Sequence, residues 1–177
     1  VYYLTFPSEG YTWGYDLKTG MTHTRVTEGK SIWQVNGAVK FGTKIICGDA
    51  FTGKLWELDQ DNRTENGTSI RTKLVSPSVS FPSNVNIPKI ELDMEVASTT
   101  DPTITPVMQV YYTKNGGNTW INKGTVAVGE FGEHNIRVVL RQFGRLVRHK
   151  DFALRLETTD DIGVQYYGAE ITYEAMV

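Results

Sequence analysis

The chain has 177 residues, 40% hydrophobic and 21% charged, with a net charge of −2. That length supports one or two domains with a real core, and that charge excludes a whole-protein field drawing the chain to nucleic acid or a membrane surface. The single cysteine, Cys47, excludes an internal disulfide framework and a cysteine-rich metal site, and no apolar run reaches the ~18 residues of a membrane span.

The first residues, "VYYLTF", read as a strand. Because the chain opens at Val1 inside that run, it is expected to be part of a longer polypeptide. Next come "YTWGYDLKTGMTHTR" and, beginning at Cys47, "CGDAFTGKLWEL". Both contain Asp-x-x-Thr-Gly: Asp16, Thr19 and Gly20, then Asp49, Thr52 and Gly53, a period of 33 residues. A carboxylate at the head of a turn accepts hydrogen bonds from N–H groups two or three residues on. Glycine then takes the positive φ that closes a tight hairpin. Asp16, Gly20, Asp49 and Gly53 are therefore expected to be structural turn residues. Cys47, between Ile46 and Gly48, is expected to be a small buried hydrophobe.

A boundary is expected near residues 60–70, where "DQDNRTENGTS" is polar throughout. "DQDN" resembles the start of a calcium loop. Arg63 stands where a third ligand belongs, however, and no closing Glu follows at the right distance. The two sequons, Asn62-Arg63-Thr64 and Asn66-Gly67-Thr68, read as chance matches in a polar loop. His23, His134 and His149 lie far apart, and none has a partner at metal-ligand spacing. No metal and no cofactor are expected.

Beyond Pro77, Pro82 and Pro88 come longer strands. In residues 89–96, Ile90, Leu92, Met94 and Val96 alternate with Lys89, Glu91, Asp93 and Glu95, giving one dry face and one wet face. Residues 107–113, 119–128, 135–140, 152–157 and 164–175 behave similarly. The whole chain reads as about thirteen strands and no helix. The fold class is all-β: propeller-type hairpins over residues 1–67, then an antiparallel β-sandwich over 68–177. The 33-residue period is shorter than the ~40–50 of a propeller blade, which suggests two successive outer hairpins.

Between the strands, "TKNGGNTW" places Thr113, Asn115, Gly116, Gly117, Thr119 and Trp120 in an arrangement similar to the Asp-box of sialidase-like proteins. That box is a folding device: a side-chain oxygen caps the hairpin, glycine permits it and tryptophan pins it. Asn115, Gly117 and Trp120 are thus expected to be structural. A glycosidase needs two carboxylates across a cleft. Glu130 and Glu133 flank a loop, and Asp160 and Asp161 are adjacent in sequence, so they point to opposite sides. No catalytic residue is expected, and the chain reads as a non-enzyme.

One stretch, "RVVLRQFGRLVRHK", is basic without an acid. Arg137, Arg141, Arg145 and Arg148 are spaced to suit a helix face, but the β-branched run and Gly144 favour a strand ending near Phe143, a bend, then a loop. Arginine forks suit phosphate, so Arg137, Arg141, Arg145, Arg148 and Lys150 form a candidate contact for DNA without sequence readout. The favoured reading is instead ion pairs with Glu130, Glu133, Asp151 or a neighbouring subunit, since arginine is also the residue that interfaces prefer.

The order of these segments, from "GYTWGYDLKTGMTHTR" through "GDAFTGKLWELDQDNRTENGTSIRTKLVSP" and "VYYTKNGGNTW" to "GEFGEHNIRVVLRQFGRLVRHKDFALRLETTD", resembles the C-terminal region of the packaged-DNA stabilisation protein of short-tailed bacteriophages, also called the tail hub or nozzle. The resemblance covers nearly the whole chain. It implies a propeller-based structural component of the virion tail, made in the bacterial cytoplasm, that works as a ring of six copies. Portal, adaptor and other tail proteins are implied as partners, along a channel that retains packaged DNA. It supplies no catalytic motif to map. No membrane partner is expected. The rival readings are a carbohydrate-binding or sialidase-like β-domain, supported by aromatics at Tyr111, Tyr112, Tyr166 and Tyr167, and a fragment of a repeat-bearing extracellular propeller.

Overall fold

The structure is a computed structural model that describes residues 1–59, 62, 64–97, 105–129, 135–160 and 162–176. Among these the chain is all-β: sixteen strands and no helix, three more strands than the alternation patterns resolve. It divides into two compact units, Val1–Thr68 and Ser69–Val177.

Unit 1 is built from two three-stranded antiparallel meanders. The first joins β1 (Tyr2–Phe6), β2 (Tyr11–Tyr15) and β3 (Thr22–Thr24). The second joins β4 (Val35–Phe41), β5 (Lys44–Asp49) and β6 (Leu55–Glu57). The repeated Asp-x-x-Thr-Gly turn is thus the second connection of each meander. The repeating unit is three strands, not a lone hairpin; the opening strands "YYLTF" and "VNGAVKF" share no residue pattern, so in sequence the repeat shows only at the turn. The turn chemistry is local. Asp16 Oδ1 accepts from Lys18 N at 2.8 Å, and Asp49 Oδ1 accepts from Phe51 N and Thr52 N, both at 2.8 Å. Gly20 and Gly53 close the turns at φ 72° and 70°. A short hairpin, β7 (Thr64–Glu65) and β8 (Thr68–Ser69), turns at Asn66 and Gly67, both at positive φ, as an Asn-Gly hairpin requires.

Unit 2 holds two antiparallel sheets. One follows the order β10 (Val79–Ser80), β15 (Asp151–Thr158), β12 (Val107–Thr113), β13 (Ile121–Ala127), with β9 (Thr72–Val75) also on β15. The other has β11 (Val85–Ala97) between β14 (Asn135–Leu146) and β16 (Gly163–Ala175). Their apolar residues merge in one buried cluster. Ile90, Leu92 and Met94 from β11 join Val138, Leu140 and Phe143 from β14, and Val110, Phe152, Leu154 and Leu156 from β12 and β15. The alternation in residues 89–95 therefore sorts side chains as expected; the side chain of Val96 lies outside what is described.

β14 does not end near Phe143. It runs to Leu146 and passes through Gln142 at φ 63° and Gly144 at φ 71°. The cause lies on the neighbouring strand. Pro88 sits mid-strand in β11 and has no N–H to give either neighbour, so the ladder must skip it. The register slips there on both sides: Ile87 faces Gly144 while Lys89 faces Arg141, and Asn86 faces Glu174 while Lys89 faces Thr172. The extra residue in β14 restores phase, so that Leu140, Phe143 and Leu146 all reach the core.

Candidate functional site

The three-stranded sheet turns Ile90, Leu92 and Met94 inward, and the strand period then sends their neighbours outward. The outer face is a grid of charge fixed by register. Arg137, Val139, Arg141 and Arg145 of β14 lie level with Asp93, Glu91, Lys89 and Asn86 of β11. These in turn lie level with Gly168, Glu170, Thr172 and Glu174 of β16. The arginines therefore line one edge and the glutamates the other.

Inside the grid, Glu91 binds two cations: Lys89 Nζ at 3.3 Å and Arg137 Nη1 at 3.9 Å. Arg137 is thereby partly satisfied within its own sheet. Arg141, Arg145, Arg148 and Lys150 are exposed and make no ion pair among the described residues. Of the acids that sequence offered as partners, Asp151 pairs with none of them, while Glu130 and Glu133 lie outside the described residues. Arg148 and Lys150 sit in the turn after β14, where Arg148 N donates to Asn84 Oδ1 at 3.1 Å. Two lysines extend the basic edge. Lys114 Nζ donates to the Arg145 carbonyl at 2.8 Å, and Lys123 Nζ donates to the Gln142 carbonyl at 3.0 Å. The bulge exposes these carbonyls, and desolvation at this half-buried position pulls the Lys114 pKa down. Sequence reading missed both lysines; the signal available was Pro88, which demands a bulge whose stray carbonyls need donors.

The Asp-box-like turn has the expected internal network. The buried Thr113 hydroxyl accepts from Gly117 N at 3.0 Å and donates to Asn115 Oδ1 at 2.8 Å. Asn115 Oδ1 also accepts from Thr119 N at 3.0 Å. Gly116 and Gly117 take φ 67° and 92°. Trp120 lies under the Arg155 guanidinium at 4.9 Å, and Tyr111 lies under it at 4.1 Å. Arg155 Nε is 3.1 Å from Glu157 Oε1, near enough for an ion pair but out of line for a hydrogen bond. The aromatic platform is therefore occupied by the protein's own arginine.

The other tyrosines offered for a sugar site, Tyr112, Tyr166 and Tyr167, do not converge. Tyr112 packs edge-on to Phe143 in the core. Tyr166 is mostly buried, donates to Met108 Sδ at 3.4 Å, and has its pKa pushed up to about 12 by burial. Tyr167 is exposed and donates to Glu95, which raises its pKa. Tyr111/Tyr112 and Tyr166/Tyr167 are sequence neighbours, so strand alternation sends each pair to opposite faces.

Of the candidate acids Glu130, Glu133, Asp160 and Asp161, Asp160 alone is among the described residues. Asp160 Oδ2 accepts from Val107 N at 2.7 Å, and Asp161 lies outside the described residues, as do Arg63 and His134. His23 stands edge-on to Tyr3, and His149 is exposed in the turn after β14. No group of three His, Cys, Asp or Glu fit to hold a metal occurs among the described residues. In unit 1, Val39, Phe41, Ile46, Leu55 and Trp56 line an open apolar depression of about 390 Å³. Its one acid, Glu57, is tied to Lys44 Nζ at 2.7 Å. Cys47 is buried, and burial raises its thiol pKa.

Compared with known proteins, the chain matches no family model. No curated protein matches it significantly.

Proposed function

We propose that the chain is a non-enzymatic structural component of a short-tailed bacteriophage tail, acting in the tail hub that retains packaged DNA and docks other tail proteins. The order of turn and strand motifs along the sequence suggests that family. The surface chemistry agrees with it in kind. The observation that carries the reading is the outer face of the β14–β11–β16 sheet, where strand register arranges charge in rows; among the described residues no group of three His, Cys, Asp or Glu is fit to hold a metal. In this reading such a face serves binding. In this reading the paired meanders are propeller-type repeats, the two-sheet unit is a sandwich, and the partners are further copies of the chain in a ring together with portal, adaptor and needle or spike proteins.

The test is genetic. A nonsense mutation early in the phage gene is expected to yield heads that package DNA and then leak it, with incomplete tails in negative-stain images. The chain is expected in purified wild-type virions by mass spectrometry. Infectious, DNA-filled particles that lack it would refute the reading.

A further inference from the structure

The arginine edge poses a question that the proposed function leaves open: what meets Arg141 and Arg145? We infer that it is the glutamate edge of a second copy of this chain. β14 and β16 are the two outer strands of their sheet among the described residues, and both run antiparallel to β11, so they run parallel to one another. A neighbouring copy displaced sideways along the sheet therefore brings its β16 beside β14 with levels matched. Glu170 sits at the level of Val139, between Arg137 and Arg141, and Glu174 sits at the level of Arg145. All these residues project from the outer face, and both glutamates are exposed. Glu170 thus comes within reach of Arg141, and Glu174 stands level with Arg145, while Arg137 already has Glu91 within its own sheet.

The contact is made by side chains and not by a continuous backbone ladder. Lys114 and Lys123 already occupy the carbonyls of Arg145 and Gln142, which blocks strand addition over that part of β14. An interface of this kind is heterologous: it closes into a ring if the rotation per copy allows and otherwise extends as a filament. Exposed ion pairs are individually weak and screened by salt, so the chain alone associates weakly and in low salt. The inference deepens the assembly reading by assigning the arginines to a neighbouring subunit instead of DNA.

Sedimentation velocity on the full chain tests it. Wild type is expected to associate with rising concentration in low salt and to dissociate in high salt. Arg141→Glu/Arg145→Glu presents two acidic edges, and Glu170→Arg/Glu174→Arg presents two basic ones. Each variant alone is expected to lose association by about tenfold or more. An equimolar mixture restores both complementary contacts and is expected to recover it. The substituted residues are all exposed, and circular dichroism checks that each variant is folded. The inference is overturned if wild type stays monomeric in low salt, or if the mixture stays monomeric while both variants are folded. It is also overturned if Arg141→Glu/Arg145→Glu associates like wild type and loses only binding to a short DNA duplex. A chain absent from virions that still shows mixing rescue keeps this inference and loses the tail reading. A chain present in virions but indifferent to charge reversal does the opposite.

Discussion

The two units keep their strands in place by different means. In unit 2, both sheets feed one cluster in which Phe143 meets Phe152 edge-on at 5.6 Å and Tyr112 at 5.3 Å. In unit 1 few of the described residues are buried, among them Trp33, Cys47 and Thr12, while Phe41 and Leu55 are 76% and 74% exposed. Unit 1 relies on local devices instead. The Thr12 hydroxyl accepts from Trp33 N at 3.0 Å, Arg25 stacks on Trp33 at 4.6 Å, and two aspartates organise the turns. A long-range apolar core resists loss of any one turn, whereas a small meander depends on each.

That contrast predicts a graded series. The largest effect is expected from Phe143→Ala, at about 3–5 kcal/mol, because the cavity falls between two sheets that cannot collapse independently. Hydrogen exchange in β11 and β14 reads it. Trp13, Trp33 and Trp56 all lie in unit 1, so tryptophan fluorescence follows that unit with only Trp120 from the other. Equal losses in both signals would break the comparison. Thr113→Val removes a buried hydroxyl that serves the Asp-box-like turn, and about 1–3 kcal/mol is expected by urea denaturation of unit 2. Gly53→Ala meets open space, so backbone strain alone acts, at about 1–2 kcal/mol in unit 1.

The smallest effect is expected to be on pH. Hydrogen bonds from Phe51 N and Thr52 N lower the Asp49 pKa to about 2, from an ordinary 3.8. A depressed carboxyl stabilises the fold above its unfolded pKa, and that contribution fades as pH falls through the folded value. Unit 1 should therefore lose stability between about pH 4 and pH 2, and Asp49→Asn should flatten that slope in fluorescence-detected melts. An unchanged slope would show that the turn carboxylate is not coupled to folding.

Much of this was legible from residue order. Strand alternation located the dry face of β11, and the Asp-x-x-Thr-Gly spacing located both turns, because each depends on neighbours within a few positions. What escaped depends on a partner strand. Gly144 reads as a chain breaker until the register slip at Pro88 is placed beside it; it then lies opposite Ile87 and lets β14 continue. The three-residue spacing of Leu140, Phe143 and Leu146 was the available clue. The arginines were visible as a cluster. Their partners at Glu170 and Glu174 were not, since matching levels across a three-stranded sheet is a fact of register that no local pattern carries.

Edge-to-edge meeting of two copies of the chain is tested most directly by a crosslink. Arg145 and Glu174 lie on opposite sides of β11, two strand spacings or about 10 Å apart, too far for a disulfide within one chain. The double variant Arg145→Cys/Glu174→Cys is expected to give a ladder of covalent multimers on oxidation in low salt, while each single variant gives dimers at most. Monomers alone from the double variant, or the same ladder from a single one, would contradict it.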